Sequence, residues 1–271
     1  MTRQKIEGGR RKAEGGSARV RLAIGPRLII NGKGKPGVCL LPTAYCLLLS
    51  AFCLLPSALY AAAQNQPMSP APVEAGFEYK FENPRFYVSV IEIDLDATGA
   101  GELRFKRGES DEIIDRKLKL LPATIARIRQ LYLATRFLDS TDAYQDKKDF
   151  SHLGWVSLSE RQGERNRKVR FNYTTNKEIA ELSDIFRGIA TQEMHLFDIE
   201  TSEQYQPLDL PRLLDALKND LKLQRISEPE QLLPKLREIA DNDTQPLIAR
   251  NNAKRLIDSI KKGDFKSPVK K

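Results

Sequence analysis

The sequence contains little cysteine, histidine and tryptophan. Its 271 residues include three Cys, two His and one Trp. The cysteines, Cys39, Cys46 and Cys53, all lie in one apolar stretch, so the chain that follows has no thiol for a disulfide, a redox centre or a zinc site. The sequence also has no phosphate-binding loop, dinucleotide fingerprint or G-x-S-x-G elbow. These absences exclude thiol chemistry after residue 53 and remove the signatures of nucleotide-dependent enzymes and of α/β-hydrolases.

Charge is absent from residues 38–63, VCLLPTAYCLLLSAFCLLPSALYAAA. A basic leader, residues 1–37, precedes this stretch and is predicted to be disordered. A basic region, an apolar segment and small residues before a cleavage point are typical of a secretory signal peptide. Cleavage is predicted between Ala63 and Gln64.

The same apolar segment also has the length of a membrane anchor. It contains 26 residues, whereas about 20 apolar residues span a bilayer. The positive-inside rule then keeps the leader inside and places the rest of the chain outside. Both interpretations predict an exported protein, either released into the periplasm or the extracellular space or held at the membrane as a single-pass protein.

The net charge of +8 belongs to the leader. Residues 1–37 hold ten Lys and Arg and two Glu, and residues 38–63 hold no charge. The remaining residues therefore carry equal numbers of acidic and basic side chains. Because a nucleic-acid-binding domain needs a basic surface, no nucleic-acid partner is predicted for the exported part.

Composition and pattern divide the exported part into four regions. A polar, Pro-rich linker covers residues 64–75, and strands and helices follow over residues 76–200. Residues 208–262 carry only helical patterns, and a basic tail, predicted to be disordered, covers residues 263–271.

Alternating apolar and polar residues predict antiparallel strands in the 76–200 region. Phe77, Tyr79 and Phe81 share one side of the first strand, and a hairpin with two inward apolar pairs is predicted at residues 154–173. Strands segregated from helices that cover one sheet face predict an α+β fold.

Sequence patterns also predict where helices begin and end. Thr175-Asn-Lys-Glu178 and Ser227-Glu-Pro-Glu230 have the pattern of capping boxes, which predicts helices beginning at Thr175 and Ser227. Pro234 is predicted to kink or restart the second of these helices, and Gly263 to end the last helix.

The run LLPKLREIADNDTQPLIARNNAKRLIDSI, residues 232–260, has a Leu-Leu-Pro opening, an Asp-rich turn and an Ala-Arg…Ala…Leu second helix. In these features it resembles a single HEAT-type helical pair. The resemblance implies two antiparallel helices. Since HEAT arrays need several stacked pairs to close a core, a lone pair is expected to pack on the α+β domain.

A basic segment is the predicted binding surface. Arg165, Arg167, Lys168 and Arg170 fall on one strand, with Trp155 on the neighbouring strand. Such a surface suits an anionic glycan, a lipid or an acidic envelope protein. The alternative is an ordinary solvated strand, since one face of an antiparallel sheet is commonly wet.

Four carboxylates in the loop before the hairpin, Asp139, Asp142, Asp146 and Asp149, are candidates for a Ca²⁺ site. Their spacing is not that of an EF-hand, and Lys147 and Lys148 interrupt the cluster, so a solvated loop is the favoured interpretation. No cofactor is predicted. His152 and His195 have no metal-binding spacing.

The sequence therefore predicts a non-catalytic binding or interaction module of the cell envelope. Two alternatives remain: a glycan hydrolase that uses only carboxylates, and a structural envelope component. Two carboxylates in one cleft would favour the hydrolase.

Overall fold

The computed structural model describes residues 75–108, 112–267 and 269. The predicted leader 1–37 and the apolar segment 38–63, with its cleavage point at Ala63 and Gln64, lie outside the described residues. So does the predicted linker, apart from Ala75. Among the described residues no helix combines the length and the apolar character that crossing a membrane requires.

Six strands of the described residues form a single sheet. The strands are β1 Ala75–Glu82, β2 Val88–Asp96, β3 Ala100–Arg107, β4 Ile113–Lys119, β5 Trp155–Gln162 and β6 Arg165–Phe171. Their order across the sheet is β4-β3-β2-β1-β5-β6, and every neighbouring pair is antiparallel. This arrangement, with the helices that follow, confirms the predicted α+β fold.

The described residues contain five α-helices. They are α1 Pro122–Ala134, α2 Lys177–Tyr205, α3 Leu210–Lys222, α4 Leu233–Asp241 and α5 Leu247–Lys262. Helix α1 lies between β4 and β5 in the chain, and the other four come after the sheet is complete.

One face of the sheet forms the first core beneath α1 and α2. Phe77 stacks on Tyr132 of α1 with ring centroids 5.2 Å apart, and Tyr79 stacks on Phe186 of α2 at 5.3 Å. All four side chains are almost fully buried. Each such aromatic side chain contributes roughly 150–250 Å² of buried surface, which makes these pairs the centre of the core.

Helix α2 belongs to two cores. Ile185 and Ile189 lie in the core under the sheet, whereas Ile199, nearer the end of the same helix, packs with the leucines of α3 and the apolar faces of α4 and α5. The predicted regions 76–200 and 208–262 are therefore joined through one continuous helix.

The structure corrects both predicted capping boxes. Helix α2 begins one residue later than predicted, because Asn176 is the N-cap and its side chain accepts a hydrogen bond from the Ile179 N–H at 3.0 Å. Ser227 caps no helix, since its hydroxyl donates to the Ile185 carbonyl at 2.7 Å. A 3₁₀ turn, Pro229–Leu232, follows instead, and α4 restarts with Pro234 in its first turn, where a missing N–H is harmless.

The end of the described chain is anchored to the rest of the protein. Helix α5 ends at Gly263, which has a φ of 73° and is the predicted stop. Beyond it, the hydroxyl of Ser267 donates to the Ser227 carbonyl at 2.5 Å, and Val269 packs against the first core. Two residues of the predicted basic tail 263–271 thus contact the rest of the fold, and the disorder of the tail stays a prediction. Helices α4 and α5 pack against each other, as a HEAT-type pair would, and that resemblance stays a prediction.

Candidate binding surface

The sheet face opposite the helices, here called the open face, carries charged side chains that remain accessible to solvent. The register places Lys80, Glu92 and Arg104 in one row across three strands. The Lys80 amine lies 2.8 Å from Glu82 and 3.1 Å from Glu92, and Arg104 lies 3.3 Å from Glu92. Exposed pairs of this kind add little stability, but they neutralise the centre of the face.

The end of the open face formed by β5 and β6 differs from this neutralised centre. Ser157 and Ser159 of β5 are short and buried, and they form the floor of a depression of about 250 Å³. Three cations and three carboxylates line it: Lys80, Arg104, Lys168, Glu78, Glu92 and Asp94. Lys168 is exposed and pairs with no carboxylate of the described residues. The carboxylates of the depression are ion-paired with Lys80, Arg104 and Arg161, so Lys168 is its cation without an ion pair among the described residues.

Arg170 lies on the same side of β6 and is held by an aromatic ring. Its guanidinium carbon is 4.6 Å from the ring centroid of Trp155, a distance typical of a cation–π contact. Its Nη2 atom lies 3.6 Å from the Glu82 carboxylate. The register pairs Glu82 with Trp155 across β1 and β5, so all three side chains share the open face.

The other two predicted binding cations lie on the opposite, helix-covered side. Arg167 pairs in register with Glu160 and shares its side of β6 with the buried Val169 and Phe171. Because side chains alternate along a strand, Arg165 and Arg167 cannot share a face with Lys168 and Arg170. The expectation that the four cations form one outward surface is therefore wrong.

Arg167 holds the loop that follows α1. Its guanidinium donates to the carbonyls of Phe137 and Asp142, and it lies 4.9 Å and 5.3 Å from the ring centroids of Phe137 and Tyr144. Arg165 forms an ion pair with Asp139. The acidic loop and the basic strand, predicted as two separate candidate sites, are thus in contact with each other.

The loop does not gather its carboxylates into a cation site. Asp146 accepts from the Lys148 N–H and from Thr175, and Asp149 accepts from the Ser151 N–H and from Asn172. These hydrogen bonds lower the pKa of both groups. In the part of the chain that the structure describes, no group of three His, Cys, Asp or Glu side chains has a geometry that could hold a metal ion.

Glu160 is a perturbed carboxyl group that the sequence did not single out. It is half-buried on the helix-covered face, and this burial raises its pKa from the usual 4.5 to about 7. The positive charge of Arg165 opposes the rise, and the negative charge of Asp139 adds to it. A carboxyl group with such a pKa can donate a proton near neutrality.

The structure also pairs His195 with Asp220, which sequence reasoning missed. The imidazole Nε2 lies 2.8 Å from an Asp220 carboxylate oxygen, joining α2 to α3. No sequence pattern signals this pair, because its members are 25 residues apart on two helices. His152, the other histidine, is exposed beside the hairpin.

The chain matches no protein-family model, and no curated protein shows significant similarity to it.

Proposed function

We propose that the protein is an exported, non-catalytic binding module whose open sheet face binds an anionic partner of the cell envelope at its β5–β6 end. The observation that carries this proposal is the depression floored by Ser157 and Ser159 beside the unpaired Lys168. Export is proposed from the uncharged segment 38–63 and its Ala-x-Ala exit at Ala63.

The chemistry of this end of the sheet favours a carboxylate-bearing or phosphate-bearing ligand. The carboxylates that line the depression are ion-paired with Lys80, Arg104 or Arg161, and Lys168 forms no ion pair within the part of the chain that the structure describes. Arg170 lies 3.6 Å from Glu82, and both groups are partly exposed, so little free energy is lost when a ligand replaces this pair. The indole of Trp155 holds the Arg170 side chain in place and so lowers the entropic cost of ordering it on binding.

A charge-reversal experiment tests the proposal. Lys168→Glu with Arg170→Glu is compared with Lys117→Glu with Lys119→Glu, which reverses two cations on the same open face at the opposite edge of the sheet. Binding to polygalacturonate, to poly-glutamate and to vesicles containing anionic lipid is measured by biolayer interferometry. These three probes separate a glycan, an acidic protein and a membrane as the source of the anionic group.

We expect the first double variant to weaken binding to one of these probes by tenfold or more, and the second by less than threefold. Equal losses in both variants would mean that only the total charge matters, and the proposed site would be wrong. Wild-type binding to none of the probes would contradict the proposal as a whole.

A carboxylate-dependent glycan hydrolase is the second candidate, favoured by the raised pKa of Glu160 and the proximity of Asp139. Asp139 is already paired with Arg165 and is largely exposed, which suits a catalytic carboxylate less well. Release of reducing sugar from cell-wall glycans by the wild type, and its loss in Glu160→Gln, would establish this function.

A further inference from the structure

A second groove lies away from the open face, between the β1–β2 loop, the end of β3 and the helices α2 and α3. Its volume is about 560 Å³. Tyr87 of the loop and Tyr205 at the end of α2 both line it, and they are 71% and 76% exposed. Both rings therefore present apolar surface at the same groove, and aromatic side chains commonly line ligand-binding sites.

Ion-paired side chains line part of the groove, together with neutral polar and apolar residues. The His195 imidazole contacts Asp220 at 2.8 Å, and Asp220 also lies 3.3 Å from Arg225. Arg107 forms an ion pair with Asp198, and its guanidinium lies over the rings of Phe105 and Phe197. These contacts fix hydrogen-bond donors and acceptors in place and leave the charges neutralised.

Paired charges disfavour an ionic ligand in this groove. A charged ligand would have to break a pair that is partly shielded from water, which leaves an uncompensated charge behind. A neutral ligand with hydroxyl groups can instead donate to the remaining lone pairs of Asp198 and Asp220 and accept from Arg107 without separating either pair.

We propose that this groove binds a neutral oligosaccharide. Sugar rings present apolar C–H faces, which suit the exposed rings of Tyr87 and Tyr205, and hydroxyls around their rims, which suit the polar pairs that line the same groove. The groove shares no residue with the β5–β6 end of the open face, so this proposal is independent of the proposed function.

Binding is measured by isothermal titration calorimetry on the full-length protein. The probes are three neutral tetrasaccharides, β-1,4-linked glucose, β-1,4-linked N-acetylglucosamine and α-1,4-linked glucose, together with tetragalacturonate and a neutral tetrapeptide. The variants are Tyr87→Ala with Tyr205→Ala and the conservative Tyr87→Phe with Tyr205→Phe. Leu133→Ala is the control, because Leu133 is a similarly exposed apolar residue on α1, with 74% exposure.

We expect saturable binding of at least one neutral tetrasaccharide by the wild type. The double alanine variant should bind it tenfold or more weakly, because both stacking surfaces are lost. The double phenylalanine variant should stay within about threefold and Leu133→Ala should be unchanged, since the first keeps the aromatic faces and the second lies outside the groove. Because both tyrosines are largely exposed, circular dichroism should show the same fold in all variants.

Three results would overturn the proposal. They are no binding of any neutral tetrasaccharide, binding that is as strong in the double alanine variant as in the wild type, and a preference for tetragalacturonate or the tetrapeptide. None of them affects the test on Lys168 and Arg170.

Discussion

The carboxylate of Glu228 accepts a hydrogen bond from the backbone N–H of Leu121 at 2.8 Å, although the two residues are 107 positions apart. Leu121 is the N-cap of α1, so a side chain from the C-terminal region supports the first free N–H of a helix that covers the sheet. Glu228 is 1% exposed, and this burial raises its pKa, whereas its hydrogen bonds with Thr124, Leu121 and Gln231 lower it.

Replacing Glu228 by Ala should destabilise the protein by about 1–3 kcal/mol, because it leaves the partly buried Leu121 N–H without its acceptor. Glu228→Gln should lose less stability, since its amide oxygen can still accept the hydrogen bond from the Leu121 N–H. The free energy of unfolding is measured with urea, and Glu230→Ala, an exposed neighbour, is the control. A Glu228→Ala protein within 0.5 kcal/mol of the wild type, on the order of a surface substitution, would contradict the capping role.

Gly188 is required where α2 passes close to the Ser227 backbone. A Cβ at this position would lie 2.3 Å from the Ser227 hydroxyl and 3.1 Å from its nitrogen. Gly188→Ala should therefore cost about 2 kcal/mol, although Ala is favoured over Gly by about 1 kcal/mol in a helix.

A double-mutant cycle separates this contact from other effects of the alanine. Ser227→Ala removes the hydroxyl that would clash, so Gly188→Ala should be less damaging in that background. Strictly additive losses in thermal or urea unfolding would show that the close approach does not determine the cost.

Glu160 should make stability depend on pH. Its pKa is raised from 4.5 to about 7 in the folded protein, so the folded state binds more protons than the unfolded state between these values. The slope of the free energy of unfolding with pH is then negative: the contribution is fully present below pH 4.5 and is lost as pH rises through about 7.

Over this pH window, the free energy of unfolding should change less in Glu160→Gln than in the wild type. The difference should be of the order of 1 kcal/mol after allowance for solvent screening. Urea unfolding at half-unit steps from pH 4.5 to pH 8 measures the difference. Glu164→Gln, in the exposed hairpin turn, should leave the wild-type profile intact. Parallel profiles for the wild type and Glu160→Gln would rule out the perturbed carboxyl group.

Arg167 and Lys168 are adjacent on β6 and should have opposite roles. Arg167→Ala should cost about 1–2 kcal/mol in stability, because it removes two hydrogen bonds to loop carbonyls and the stacking on Phe137 and Tyr144. Lys168→Ala should be neutral in stability and weaken only the binding of an anionic partner.

Arg167→Lys separates packing from charge. Lysine keeps the positive charge but cannot reproduce the planar fork that reaches both carbonyls, so little of the lost stability should return. Full recovery in urea unfolding would show that charge alone holds the loop.

Much of the fold could be predicted because its determinants are local. The alternation at Phe77, Tyr79 and Phe81 marks a half-buried strand, and Gly263 marks a helix end, in each case through contacts within a few residues. The fold class follows from the order of such segments. The capping boxes were misplaced for two reasons: the side chain of Asn176 accepts from the helix N–H in place of Thr175, and the Ser227 hydroxyl donates to the distant Ile185 carbonyl.

The candidate site could be predicted only in part. The basic residues of β6 were found by composition, and the alternation along the strand already implied that Arg167 shares the side of Val169, not that of Lys168. That signal was in the sequence. By contrast, the depression at Ser157 and Ser159 depends on the partners that β1 and β6 place beside β5, which no local pattern specifies.

By itself, the sequence determined the uncharged segment before residue 64, the neutral and cysteine-free chain after it, and the order of strands and helices, because each is a property of composition or of neighbouring residues. Tertiary structure decided the contacts between distant residues. It placed Glu228 on Leu121, His195 on Asp220 and the acidic loop on the basic strand. The first two contacts depend on how the two cores meet along α2, and the third on how the loop after α1 packs against β6, so all three follow from packing distant parts of the chain.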